Sequence, residues 1–339
     1  MGNNFRNGIS YKDIGLEIMR KRICYKIAIA AMMVALAFNV SACGQKNNEK
    51  QDAYRQYGIT CMESGKYEEA IESFQSALDQ SLGKVSEKEI DICFYKAKAQ
   101  ALSGDSEAAM ETYNAIIKYN KDARAYYLRG NLYFDMGQKE QALADYEQAV
   151  KEDKKNYEIY IGIYQSMCSH DMEAEGQKYL SLAMELKGDK TKDQLYKGRI
   201  SYLLGDTANA IAYLQKAQEA KEPLASYYLG LAYEKEGNTQ QAKTCIQEYI
   251  DSGVATSYDL YELGTNEAEE ADYESALNYF NAALALEKVP NKQNIMKSAI
   301  SAYEYSGDFE SARKMMKDYL KLYPSDEEAQ RESVFLETR

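Results

Sequence analysis

The 339-residue chain has no tryptophan, one histidine and three prolines. A single histidine, His170, leaves no material for His-rich zinc sites or for histidine-based acid–base pairs. So few prolines beside twenty glycines exclude a collagen-like or Pro-rich disordered chain, and thirty-one tyrosines supply apolar area that disordered segments lack. Cations are short as well, with 41 Lys and Arg against 53 Asp and Glu. Setting aside residues 1–42 leaves 35 basic and 51 acidic side chains, a net of −16. A surface this acidic repels phosphate backbones, which argues against nucleic acid as a partner.

Long apolar runs are missing too, with one exception. Arg20, Lys21, Arg22 and Lys26 precede Ile27 to Val40, an uncharged and mostly apolar run of fourteen residues. As a helix it would span about 21 Å, short of the roughly 30 Å hydrocarbon core, so residues 1–42 read as a signal peptide rather than a spanning helix. Met19, directly before the basic cluster, is an alternative start. Val40-Ser41-Ala42-Cys43 follows, with small residues where a signal peptidase cuts. This run resembles the lipobox of bacterial lipoproteins. The resemblance implies that Cys43 is acylated, becomes the mature N-terminus and anchors the chain by lipid to the extracytoplasmic face of a bacterial cell membrane. Ordinary secretory cleavage, leaving a free thiol, is the alternative. Residues 43–50 then serve as a polar tether.

From Gln51 a self-similar pattern begins. Its first copy reads Tyr54-x2-Tyr57-Gly58-x2-Cys61, then Gly65, Tyr67, Ala70-x3-Phe74-x2-Ala77. Small residues at Gly58 and Ala70 fall one on each of two helices, and Gly65 ends the first where a left-handed residue is needed. The anchors recur at 58, 97, 130, 164, 198, 230, 264 and 300, spaced by 39, 33, 34, 34, 32, 34 and 36 residues. The long first gap is a polar, glycine-bearing loop over Gln80 to Lys88. The fourth copy is degenerate, with Tyr164 at the anchor and no turn glycine.

This pattern resembles the tetratricopeptide repeat, a helix-turn-helix unit of about 34 residues. The resemblance implies an all-α solenoid, a right-handed superhelix of about eight repeats over residues 51–324, with residues 325–339 as a capping helix over the last exposed face. Tyrosine or another apolar side chain replaces the tryptophan of the family pattern.

Chemistry is scarce. Cys168-Ser169-His170-Asp171 places adjacent residues that point apart on a helix, whereas a nucleophile and its base must converge. Cys61 and Cys93 fall on core positions, and no C-x-x-C pair is present, although an exported chain leaves a bridge between neighbouring repeats open. Phosphate-loop, dinucleotide, nucleophile-elbow and zincin motifs are missing. Acidic runs such as Glu267 to Glu270 read as solvated helix faces. No enzyme and no cofactor are expected.

What remains is surface for partners. In the tetratricopeptide family the first helix of each unit lines a concave groove, and the resemblance assigns to it Phe94, Arg124, Tyr127, Asn131 and Phe134 in units two and three. Unit five adds Lys192, Leu195, Arg199, Tyr202 and Leu203, and units six and seven add Tyr227, Leu231, Tyr258 and Tyr261. Some of these tyrosines could instead pack between units. Lys98, Arg124 and Asn131 echo only part of the carboxylate clamp of chaperone-binding relatives, and Ile59 stands where that clamp needs asparagine. Two functions stand: a membrane-anchored, non-enzymatic scaffold binding a protein or peptide in its groove, in envelope assembly, secretion or wall remodelling; or a ligand-binding lipoprotein capturing an oligosaccharide, wall fragment or cation for a neighbouring transporter.

Overall fold

A computed structural model describes residues 43–81, 83, 85–187 and 190–339. The expected signal peptide lies outside the described residues, as does the side chain of Cys43. Among the described residues there are seventeen helices and no strand. The first sixteen form eight antiparallel pairs. These are α1 (Cys43–Glu63) with α2 (Tyr67–Asp79), α3 (Glu87–Leu102) with α4 (Ser106–Asn120), and α5 (Ala123–Asp135) with α6 (Lys139–Glu152). Next come α7 (Tyr157–Cys168) with α8 (Glu173–Met184), α9 (Lys190–Leu203) with α10 (Thr207–Glu219), and α11 (Pro223–Lys235) with α12 (Thr239–Asp251). The array ends with α13 (Ser257–Glu269) and α14 (Tyr273–Ala285), then α15 (Lys292–Tyr305) and α16 (Phe309–Leu322), closed by α17 (Glu327–Leu336). Residues 43–50, expected as a tether, instead form the first turns of α1, where Gln45, Lys46, Glu49 and Lys50 favour helix and no proline interrupts it.

The anchor residues explain why the helices pair. A Cβ at Gly130 would stand 2.6 Å from the Tyr146 ring, so only glycine lets α5 approach α6 with that ring between them. Gly58 with Phe74 and Gly264 with Phe280 repeat the contact. Unit four inverts it. There the large residue, Tyr164, is on the first helix and the small one, Gly176, on the second. Its helix α7 is buried along most of its length, including Ile159, Tyr160, Ile161, Ile163 and Met167, and it forms the middle of the largest apolar cluster.

Each pair turns through one left-handed residue. Gly137, at φ 72°, donates its N–H to the Phe134 carbonyl at 2.8 Å, and Gln138 donates to the Tyr133 carbonyl at 2.7 Å, which satisfies the last carbonyls of α5. Asp171 (φ 58°) and Ala271 (φ 64°) hold this conformation in units four and seven without being glycine. The next residue starts the second helix. Asp105, Asp206, Asn238, Asp272 and Asp308 each accept an N–H of the first turn with the side chain. At the C-terminal end, Ala329 and Leu336 of α17 are buried against Met296, Ile300, Met316 and Tyr319. No described helix is long and apolar enough to cross a membrane.

Candidate partner-binding groove

The first helices of successive pairs lie side by side, and their polar and aromatic side chains meet in rungs. Arg55 donates to Asp91 at 2.7 Å and lies 5.0 Å from the Tyr95 ring, while Lys88 reaches Asp52 at 2.7 Å. Arg124 sits 4.6 Å over Phe94 and is held by Asp122 at 2.6 and 3.0 Å. Tyr157 and Tyr196 stack at 4.8 Å with planes 6° apart. Arg199 donates to Glu158 at 2.9 and 3.0 Å and covers the Tyr228 ring at 5.2 Å. Burial works against the Arg199 charge, yet Tyr228 and Glu158 outweigh it and hold the guanidinium pKa above its usual value. Tyr227 donates to Glu262 at 2.9 Å, and Tyr261 meets Ser298 at 3.3 Å.

Four of the expected groove residues belong to the core instead. Phe134, Tyr227 and Leu231 are 6%, 2% and 3% exposed. Phe134 is covered by the next unit's turn, with its ring 4.8 Å from that of His170 and 5.6 Å from Tyr146. Tyr227 is enclosed by Tyr228, edge-on at 5.1 Å, and by Tyr249 at 5.2 Å. Leu231 joins Leu260 and Leu263 of unit seven in one apolar cluster, and Leu195 is likewise buried. Tyr127 is half-buried because its hydroxyl sits 2.7 Å from where a Gly162 Cβ would stand. Asn131 accepts from the Tyr146 hydroxyl at 2.6 Å. Arg199 has a side chain only 13% exposed.

Others remain reachable: Arg124 and Lys192 are exposed, Tyr202, Leu203 and Tyr261 are half-buried, and Tyr258 is 53% exposed. The sequence reading missed their neighbours Glu158, Tyr196, Tyr228, Lys235 and Glu262, which complete the rungs. Lys235, for example, places its ammonium 5.3 Å from the Tyr202 ring. The one available signal was spacing, since a carboxylate early in one first helix meets an arginine midway along the next, as Glu158 meets Arg199. His170 caps a helix end, its Nδ1 2.8 Å from the Ser166 carbonyl that also accepts from the Ser169 hydroxyl at 2.8 Å. Cys61, Cys93, Cys168 and Cys245 are free thiols.

Family models described as tetratricopeptide repeat match residues 45–132, 123–156, 197–223, 224–252 and 293–326. The chain carries tetratricopeptide repeats. Human superkiller complex protein 3 is 27% identical over 160 residues, which are 47% of this chain and 9% of that protein, so the chain spans under a tenth of that relative's length. A tetratricopeptide repeat protein from Parabacteroides merdae is similar in structure, with a TM-score of 0.45, 14% identity and coverage of 75% of this chain and 99% of that one. PilW, a type IV pilus biogenesis factor, gives a TM-score of 0.41 at 17% identity, covering 62% of this chain and 97% of its own.

Tetratricopeptide repeats typically serve as non-enzymatic scaffolds for protein interaction. In this array the C-terminal ends of α11 and α13 gather the carboxylates Glu234, Glu267, Glu269 and Glu270. Burial and then Glu270 raise the Glu234 pKa, and burial and then Glu234 raise that of Glu267, with Lys243 offsetting only part. Both lie in last helical turns, where the helix dipole also disfavours negative charge.

Proposed function

We propose that the chain is a membrane-anchored scaffold that holds an extended protein or peptide segment against its first-helix face and so recruits an envelope enzyme or assembly for secretion, envelope assembly or wall remodelling. The observation that carries this reading is the contrast along that face. Units two to five engage Arg124, Tyr157 and Arg199 in rungs, while unit seven presents Tyr258 open to solvent, three residues from half-buried Tyr261 on the same face of α13. Tyrosines set on rigid helices supply large contact area and a hydrogen-bonding tip at little entropic loss, the properties of interface hot spots. Glu262, next to Tyr261 in α13, and Glu234, which acts with it on the Tyr202 hydroxyl, favour a partner segment that brings a cation.

Capture of an oligosaccharide has less support, because stacking on a sugar needs free ring faces. Tyr196 covers Tyr157, Arg199 covers Tyr228 and Lys235 lies over Tyr202. Membrane attachment rests on the lipobox-like run ending in Cys43. Because α1 starts at Cys43, a lipid there would hold the first unit against the bilayer surface.

The test has two arms. Fractionation of cells expressing wild-type and Cys43→Ala chains should show the first in membranes and the second released or retained as precursor; equal processing and partitioning would refute the anchor. A photo-crosslinking residue at Tyr258 should trap a defined protein band that is lost when the crosslinker sits at Tyr119, whose 58% exposed ring lies on a second helix. Identical bands from both positions would refute the groove.

A further inference from the structure

Residues 244–287 contain ten Asp and Glu and no lysine, arginine or histidine, and residues 298–312 contain no base either. Within these stretches the ring of Tyr305, the last residue of α15, stacks on that of Tyr273, the first of α14, at 5.5 Å with planes 16° apart. Tyr273 is half-buried, whereas Tyr305 is 74% exposed, more than any other large apolar or aromatic side chain among the described residues. One face of the Tyr305 ring is therefore taken by Tyr273 and the other stands in solvent. Around the pair, the α13–α14 junction sets Glu269, Glu270, Asp272 and Glu274, and the α15–α16 junction sets Asp308 and Glu310, all exposed. Bonds from Ser275 and Ser311 hold the Asp272 and Asp308 carboxyls below their usual range. The cations of the neighbouring helices are engaged elsewhere. Lys243 of α12 acts on Asp272 less than the serine bonds do, and acts also on Glu234 and Glu267. Arg313 of α16 donates to the Leu336 carbonyl at 3.1 Å, while Lys314 and Lys317 act on Asp318 farther along that helix. Arg339 lies over Phe335 at 4.8 Å and Phe309 at 5.9 Å. Among the described residues no Lys or Arg lies over either tyrosine of the stack.

Elsewhere in this array a cation over a ring joins successive units: Arg55 over Tyr95 at 5.0 Å, Arg199 over Tyr228 at 5.2 Å and Lys235 over Tyr202 at 5.3 Å. We propose that the open face of Tyr305 takes the same contact from outside the chain, seating an arginine of a basic, extended protein segment that crosses the turn edge of units seven and eight. The ring quadrupole attracts a cation placed above its face, and stacking on Tyr273 fixes the orientation of that face. A guanidinium is planar and weakly hydrated, so it stacks more readily than an ammonium. The surrounding carboxylates repel phosphate and sulfate and add attraction for the cation. A neutral sugar would gain stacking area without that attraction. The seat rests on the scaffold reading for the nature of the ligand, a protein segment; it adds the chemistry that segment carries, at a contact separate from Tyr258.

Fluorescence anisotropy of a dye-labelled peptide of alternating arginine and glycine, titrated with the full chain, tests this. Tyr305→Leu keeps apolar bulk and every charge but removes the ring, and should weaken binding about two- to fivefold. Tyr305→Phe should bind as wild type does and Tyr305→Trp more tightly, while the matching lysine peptide should bind wild type more weakly than the arginine peptide. Because Tyr305 is 74% exposed, the unfolding midpoints of these variants should coincide. Wild-type affinity in Tyr305→Leu would overturn the seat, since diffuse charge would then account for binding. A Tyr305→Phe variant as weak as Tyr305→Leu would overturn it in favour of the hydroxyl, and displacement of the peptide by cellohexaose from wild type but not from Tyr305→Leu would overturn it in favour of a sugar. The Tyr258 crosslinker separates seat from groove. A protein trapped at Tyr258 while Tyr305→Leu binds the peptide fully would overturn the seat alone; Tyr305-dependent binding with nothing trapped at Tyr258 would uphold the seat and refute the groove.

Discussion

Tyr164 of α7 seats directly on Gly176 of α8: a Cβ at Gly176 would stand 3.1 Å from the tyrosine ring and 3.2 Å from Met167 Cβ. The pair is the mirror of Gly130 and Tyr146 in the preceding unit, with large and small exchanged between helices. Gly176→Leu should therefore destabilise by about 1 to 3 kcal/mol through overpacking, and Gly130→Leu by a similar amount. Chemical denaturation checks both. A neutral Gly176→Leu would mean that unit four does not pack its helices through this residue.

Turn residues allow a stabilising change. Ala271 holds φ 64° at the position where six other units have glycine, and a left-handed L-residue is disfavoured by about 1 to 2 kcal/mol. Ala271→Gly removes that strain while adding freedom to the unfolded chain, for a net gain of roughly 0.5 to 1 kcal/mol. Asp171→Gly should gain less, since aspartate tolerates this region better. A higher denaturation midpoint at unchanged slope is the expected result.

Most of the fold was legible because the small residues that permit helix pairing and the glycines that end the first helices recur in register. Unit four looked degenerate because its anchor was sought on the first helix, while Gly176 carries the small side on the second, and because Asp171 takes the left-handed turn in place of glycine. The caps Asp105, Asp206 and Asp308 follow turn glycines directly and were readable in principle as helix starts. The groove was legible only in part. Whether a first-helix residue faces solvent depends on what the next unit brings over it, and those neighbours are distant in sequence: His170 covers Phe134, and Tyr228 with Tyr249 encloses Tyr227.

Asp326 ties the terminal helix by three bonds, accepting from Lys297 at 2.9 Å, from the Tyr319 hydroxyl at 2.6 Å and from the Ala329 N–H at 3.1 Å. Its lowered folded-state pKa means that this stability is present above the unfolded value of 3.8 and is lost only in strong acid. Asp326→Ala should cost about 1 to 2 kcal/mol as a lost N-cap. The loss should appear as faster exchange confined to α17 and the end of α16, while the first six units keep their protection.

Partner capture and folding should separate cleanly on the first-helix face. Tyr227 is 2% exposed between Tyr228 and Tyr249, so Tyr227→Ala should cost about 3 to 5 kcal/mol of stability, as large aromatic-to-alanine changes in cores do. Tyr258 is 53% exposed and Tyr202 half-buried, so their joint replacement by Ala removes much less buried area. If a protein segment lies along units five to seven, the Tyr202→Ala, Tyr258→Ala double variant should weaken its capture by about 2 to 4 kcal/mol, since central aromatic residues dominate such interfaces. Its unfolding midpoint should move far less than that of Tyr227→Ala. Added salt should weaken capture further when the partner's cation sits among Glu234, Glu262 and Glu267, because exposed charges are screened beyond about 10 Å at 0.1 M ionic strength. A double variant that keeps full capture while Tyr227→Ala loses it only in proportion to unfolding would place the binding surface off the first-helix face.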